Sequence, residues 1–115
     1  MPASESYRVF VLEQLGPVTA VTGKSMFGGV GIYAEELFFA LIAEDRLYFK
    51  VDDVTRPDFA RLGMEPFRPF GEEDSMGYYE VPADVVEDTL QLASWMRKAI
   101  DVAARAKRAK IKRAK

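Results

Sequence analysis

Gly29-Val30-Gly31-Ile32-Tyr33-Ala34 has the G-x-G-x-x-G/A spacing that lets a backbone turn close against a pyrophosphate. Asp52 and Asp53 follow about 20 residues on, where such a site holds a ribose hydroxyl. That chemistry needs a strand ending at the glycines and a helix starting among them, so that phosphate meets the helix N-terminus. Here Ile32, Tyr33, Phe38 and Phe39 favour strand, and Glu35-Glu36 put negative charge where the pyrophosphate would lie. Gly28, Gly29 and Gly31 read better as residues that let a strand twist sharply or pass close to a packed helix.

Three carboxylate clusters, Glu35-Glu36, Asp52-Asp53 and Glu72-Glu73-Asp74, have the oxygen chemistry for Mg²⁺ or Ca²⁺. None has the EF-hand spacing, and adjacent acids in loops are ordinarily solvated. For acid/base work the best-placed carboxylate is Glu80, between Tyr79 and Val81, but a cross-strand contact with Lys50, which alternates in the same way, explains it better. Tyr78 and Tyr79 have faces on which a nucleobase stacks, but alternation makes them half core and half surface. The chain has no histidine and no cysteine. That excludes imidazole bases, thiol nucleophiles, disulfides and the common zinc sites. No catalytic residue, cofactor or metal site is assigned, and the expectation is a protein that binds and is not an enzyme.

Charge is distributed unevenly. Arg105, Lys107, Arg108, Lys110, Lys112, Arg113 and Lys115 crowd the last eleven residues with no acid among them. Removing these seven from 16 basic residues leaves nine against 18 acidic ones, so residues 1–104 carry −9. At about 100° per residue the seven cations encircle a helix axis and leave no apolar face, which disfavours a membrane-surface helix. Phosphate contacts need charge density and no particular face, so nonspecific DNA is the natural macromolecular target of the tail. Two other uses are a disordered solubilising end and an intramolecular counterpart to the acidic body.

The elements that must position these residues follow from patterning. Ser4-Glu5 opens a helix at about 4–15, Tyr7, Phe10, Val11 and Leu15 recur at helical spacing, and Gly16-Pro17 stops it. Val18–Thr22 and Met26–Tyr33 read as one or two strands. Leu37–Ile42 and Leu47–Val51, broken by Ala43-Glu44-Asp45, read as an antiparallel hairpin. Thr55 is placed to cap a short helix at 55–62, with Gly63 just past its end. Met64–Ser75 reads mainly as loop, with Phe67 and Phe70 as anchors, and Met76–Val81 as strand. A turn or short helix covers 83–87, and Asp88-Thr89-Leu90-Gln91 resembles a capping box before a long last helix. Its apolar stripe is Leu92, Trp95, Met96, Ala99, Ala103 and Ala106. The predicted class is α+β: an antiparallel sheet of four or five strands with an N-terminal helix, a short middle helix and a long C-terminal helix, the helices on one face.

Met26-Phe27-Gly28-Gly29-Val30-Gly31-Ile32-Tyr33, Phe39–Ile42, Leu47–Asp52, Arg56–Phe59 and Met76-Gly77-Tyr78-Tyr79-Glu80-Val81-Pro82, in this order, resemble the TfoX N-terminal domain. The resemblance covers roughly Tyr7 to Ala104. It implies an α+β fold, bacterial origin, a cytoplasmic location and a part in regulating competence or DNA-uptake genes. Met26, Phe27, Gly28, Gly29, Gly31, Tyr78 and Tyr79 carry over as a family signature whose first role is the fold. The expected organisation is a stand-alone domain over 1–104 and a basic tail over 105–115. The expected partner is another protein or a second copy, with DNA through the tail and no membrane. Two alternatives are a small-ligand or nucleotide-binding protein using Gly28–Gly31, and a domain that only homodimerises.

Overall fold

A computed structural model describes residues 4–26, 28–68 and 77–114. The sheet is a five-stranded antiparallel meander in which every strand lies beside its sequence neighbours: β1 (Thr22–Met26), β2 (Gly29–Ala34), β3 (Leu37–Ala43), β4 (Arg46–Lys50) and β5 (Tyr78–Glu80). Helix α1 (Glu5–Leu15) precedes it, α2 (Arg56–Arg61) joins β4 to β5, and α3 (Ala83–Glu87) and α4 (Thr89–Ala114) follow. This is the α+β class predicted above.

Alternation decides the faces. Val30, Ile32, Phe39, Ile42, Leu47 and Phe49 point to one side and pack with Val11 and Leu15 of α1 and Leu92, Met96, Ala99 and Ala103 of α4. Burying each of the larger of these side chains contributes about 1.5–3 kcal/mol. A break in register between Ile32 and Tyr33 leaves Phe39 without a partner on β2. This bulge turns both Phe39 and Ala40 into the core, an arrangement strict alternation forbids.

The caps are partly as expected. Ser4 Oγ accepts from the Tyr7 amide at 3.2 Å, starting α1. Asp88 accepts from the Leu90 and Gln91 amides at 3.1 and 3.2 Å, and Gln91 Nε2 donates back to its carboxylate at 2.9 Å. Thr55 does not cap α2. Its hydroxyl instead accepts from the Asp52 amide at 3.1 Å, while Asp52 accepts from the Val54 and Thr55 amides, so a local turn outcompetes the cap. Gly63 follows α2 with φ +75°, as expected past a helix end.

Four sequence-based expectations change. Val18–Val21 is not strand; β1 begins at Thr22. Part of the supposed loop extends the sheet: Phe67 donates to the Tyr78 carbonyl at 2.8 Å, and Glu80 to the Glu65 carbonyl at 3.0 Å. Ala106 is exposed and Val102 buried, because α4 has left the sheet by residue 105. Lys50 faces Tyr78 in register and Glu80 faces Tyr48, so the expected Lys50–Glu80 pair is offset by two residues. Phe70, Glu72-Glu73-Asp74 and Met76 lie outside the described residues.

Candidate functional site

The face of the sheet away from α1 and α4 carries a second, smaller cluster: Leu41, Tyr48 and Tyr78, with Phe38, Ala43 and Phe67 against them. Its aromatic rings form a row across the strands. Tyr33 and Phe38 stack at 5.1 Å with 22° between planes, and Phe38 meets Tyr78 at 5.3 Å. An ammonium caps each end: Lys24 lies 5.0 Å from the Tyr33 ring centroid and Lys50 5.0 Å from that of Tyr78. The Tyr78 hydroxyl donates to the Phe38 carbonyl at 3.3 Å. Burial, with the Tyr33 phenol nearby, pushes the Tyr78 phenol well above its ordinary range, so it stays a neutral donor. Burial also draws the Lys50 ammonium below its usual value.

The glycine signature is built into this face. Gly28 has φ +76° in the β1–β2 turn, a conformation that favours glycine. A Cβ on Gly29 would fall onto the Ile42 carbonyl oxygen of β3. One on Gly31 would meet Met26 Cε at 2.5 Å and Phe38 Cε1 at 3.2 Å, because those side chains occupy the space above it. Gly29 and Gly31 therefore admit a neighbouring strand and two side chains; of the two readings from sequence, a sharp twist or a packed helix, the helix is not what they approach. No helix begins among them, so the phosphate-cradling context is missing at this segment. Beside them lies a small apolar groove lined by Met26, Phe38, Leu41, Ala43 and Phe67. Tyr79, by contrast, turns inward against the main core and approaches Phe59 at 6.1 Å. Phe27 lies outside the described residues.

The basic run is helical. Helix α4 passes through residues 104 and 105 without a break, and Arg105 to Ile111 are exposed. Arg105 Nη2 contacts Asp52 Oδ2 at 2.8 Å, and Lys107 Nζ lies 3.3 Å from Glu36 Oε2. The Arg105 guanidinium, with bonds from Thr55 and Val54, lowers the Asp52 carboxyl to about 2. Arg108 and Lys110 are exposed and have no ion pair among the described residues. The side chains of Lys112, Arg113 and Lys115 lie outside the description. Of the carboxylate clusters, Glu36 and Asp52 thus meet the helix, and Asp53 meets Arg56 at 2.8 Å. Among the described residues no group of three acids is placed to hold a metal ion, and no helix is long and apolar enough to cross a membrane.

The family profile described as the TfoX N-terminal domain matches residues 13–103. The chain belongs to the TfoX N-terminal domain family. A curated relative, the DNA transformation protein TfoX1 of Aliivibrio fischeri (strain ATCC 700601 / ES114), is 40% identical over 45 residues. That stretch is 39% of this chain and 22% of the relative, so the chain matches under a quarter of the relative's length. The TfoX match stops at Ala103, the last residue of α4 that is buried among those described, and the exposed turns from Arg105 to Ile111 lie beyond it.

Sequence reasoning missed a further constellation. Phe59 of α2 and Trp95 of α4 meet edge to face, with centroids 4.7 Å apart at 79°. They line a cavity of about 230 Å³ with Lys50 and Lys98. The signal available beforehand was the chain's single tryptophan, one turn before Lys98 on the apolar stripe.

Proposed function

We propose that this TfoX-family chain is a non-enzymatic regulatory or adaptor domain linked to competence and DNA uptake. It engages a protein partner, or a second copy, through the outer face of its sheet. The exposed end of α4 adds weak, sequence-independent contact with nucleic acid. The observation that carries this reading is the projecting basic helix, where Arg108 and Lys110 stand exposed beyond the last buried residue. Its backdrop is family membership and a local likeness to a protein named for DNA transformation.

The acidic body modulates that contact. Arg105 and Lys107 are held by Asp52 and Glu36, so phosphate must displace those carboxylates to recruit all the cations. Each phosphate neutralised contributes about −0.9 to the slope of log K against log salt on duplex DNA. Three to five contacts therefore give a slope of roughly −3 to −4.5. Fluorescence anisotropy with duplexes of unrelated sequence tests this: binding is expected to be equal across sequences, to weaken steeply with salt, and to vanish when residues 105–115 are removed. Binding that survives the truncation, or is missing at low salt, takes the helix end out of the account. Light scattering at rising concentration tests self-association separately, with Phe38→Glu expected to abolish any dimer formed through the sheet.

A further inference from the structure

The two edges of the sheet are finished differently. At β5 the groups that face away from β4 are taken by the chain itself, through Phe67 on the Tyr78 carbonyl and Glu65 on the Glu80 amide. At β1 no further strand follows among the described residues. The ladder fixes which of its groups face outward. Val81 donates to the Leu47 carbonyl at 2.8 Å, so the backbone of Leu47 faces β5. In an antiparallel sheet this sense alternates along each strand and is opposite in the two residues of each pair. The partner series Leu47, Ile42, Val30, Ser25 therefore ends with Ser25 facing away from β2, and Gly23 faces the same way. Among the described residues only the Gly23 carbonyl has a partner there, the Arg8 guanidinium of α1 at 3.4 Å, which stands where a strand amide would. Side chains flank this edge. On the core side α1 lies beneath Gly23, where a Cβ would stand 3.5 Å from Leu12 Cδ1 and 3.6 Å from Arg8 Nη2. Val9, three positions before Leu12 and so on the same flank, is 45% exposed. On the outer side stands Lys24, its ammonium over the Tyr33 ring. Neither Arg8 nor Lys24 has a carboxylate partner among the described residues.

We propose that the β1 edge is a docking site for an extended segment of another protein, one that carries two adjacent acidic residues between β-branched ones. The segment adds to the sheet beyond β1, with its backbone bonded to Gly23 and Ser25. Successive side chains of a strand point to opposite faces. Of two adjacent carboxylates, one therefore reaches Arg8 on the core side, released from the Gly23 carbonyl by the incoming amide, and the other reaches Lys24 on the outer side. A β-branched neighbour on the core side covers Val9 and Leu12. A second copy of β1 fits poorly. The register that uses every outward group pairs Gly23 with Ser25 across the two copies and sets Lys24 directly against Lys24, an unfavourable like-charge pair. The contact is made by edge backbone, distinct from docking on the aromatic row and from the basic end of α4, and neither of those depends on it.

The full chain, labelled with nitrogen-15, is titrated with the peptide acetyl-Thr-Val-Glu-Glu-Val-Thr-amide and with versions in which glutamine or lysine replaces both glutamates. Heteronuclear correlation spectra are expected to show saturable shifts of the Gly23 and Ser25 amides, and both should exchange with solvent more slowly. The Lys24 amide, which faces β2, should keep its exchange rate. The glutamine peptide is expected to bind about fivefold more weakly, and the lysine peptide to give no shift at the same concentration. Lys24→Glu, on an exposed side chain outside the core, is expected to weaken the glutamate peptide by about fivefold or more. Ser25→Pro removes an outward donor that β2 does not use and is expected to abolish binding. If proline disturbs β1, Lys24→Glu and the exchange rates still decide. A missing or unsaturable response to the glutamate peptide at millimolar concentration overturns the proposal. So do shifts confined to Phe38, Leu41 and Tyr78, unslowed exchange at Gly23 and Ser25, equal affinity for the glutamate and glutamine peptides, or a Lys24→Glu variant that binds as the parent does.

Discussion

Replacing each signature glycine by alanine separates three physical reasons for glycine that look identical in sequence. At Gly29 the added Cβ falls onto the Ile42 carbonyl oxygen, with the carbonyl carbon at 3.3 Å and Ala43 Cα at 3.6 Å. All three are backbone atoms of a central strand, paired on both sides, and cannot give way without breaking the β2–β3 ladder. Overpacking against such a wall costs about 3 kcal/mol or more, while restricting the unfolded chain returns about 0.4–1 kcal/mol. The net loss is about 2 kcal/mol or more. At Gly31 the obstacle is the end of the Met26 side chain, which has other rotamers, so the same arithmetic gives a loss of about 1 kcal/mol or less. Neither residue has positive φ, so conformational freedom does not enter. Gly28 is the converse case: φ is +76° and nothing stands within 4 Å of the added carbon, so only the left-handed backbone resists, at about 1–2 kcal/mol. At about 4 °C per kcal/mol, thermal unfolding followed by circular dichroism should fall by about 8 °C or more for Gly29→Ala. For Gly31→Ala it should stay within about 4 °C. Gly28→Asn should recover part of the loss in Gly28→Ala. A Gly29→Ala protein that melts with the parent, or a Gly31→Ala protein less stable than Gly29→Ala, refutes the close-approach argument.

Two further outcomes follow from named contacts. The Asp52 carboxyl is lowered from 3.8 to about 2, chiefly by Arg105, so its stabilisation is present above about pH 4 and is lost as pH falls through 2. Because both side chains are partly solvated, the amount is about 1 kcal/mol or less. Arg105→Gln should raise the midpoint seen in the carboxyl chemical shift of Asp52 toward its ordinary value, and an unmoved midpoint contradicts the assignment. Asp88→Ala removes the acceptor for the Leu90 and Gln91 amides at the start of α4, so both should exchange with solvent faster while amides near Met96 keep their protection. Uniform protection in the variant indicates that water or another group caps the helix.

Local signals carried most of the fold. Helix α1, the β3–β4 hairpin, the α4 cap and Gly63 were legible because periodicity, capping residues and turn residues all act within a few positions. Val18–Val21 misled for the same reason: its β-branched residues favour strand, but no neighbouring strand is there to pair with. Thr55 misled because two local turns compete for one hydroxyl. The bulge at Phe39 was not legible, since it depends on the partner strand's register. The site was legible only in pieces. Tyr33 and Phe38 are neighbours across one hairpin, but Tyr78, 40 residues beyond Phe38, joins their row only when the meander lays β2, β3, β4 and β5 side by side, and Phe59 of α2 meets Trp95 of α4 across 36 positions of sequence. Charge counting found the basic helix end, but not the carboxylates of Asp52 and Glu36 that hold two of its members.

Helix α4, last in sequence, supplies cover that the sheet alone does not have. The meander pairs only sequence neighbours, so its strands can zip together as they emerge, at low loop-closure cost. The core face then waits for Leu92, Met96, Ala99 and Ala103, which arrive last of all the buried residues. Without the α4 segment up to Ala103, Phe39, Ile42 and Phe49 would lack much of their cover. The residue that completes that cover, Ala103, is followed from Arg105 onward by cations with no acid among them, so the sequence that closes the face passes at once into charge.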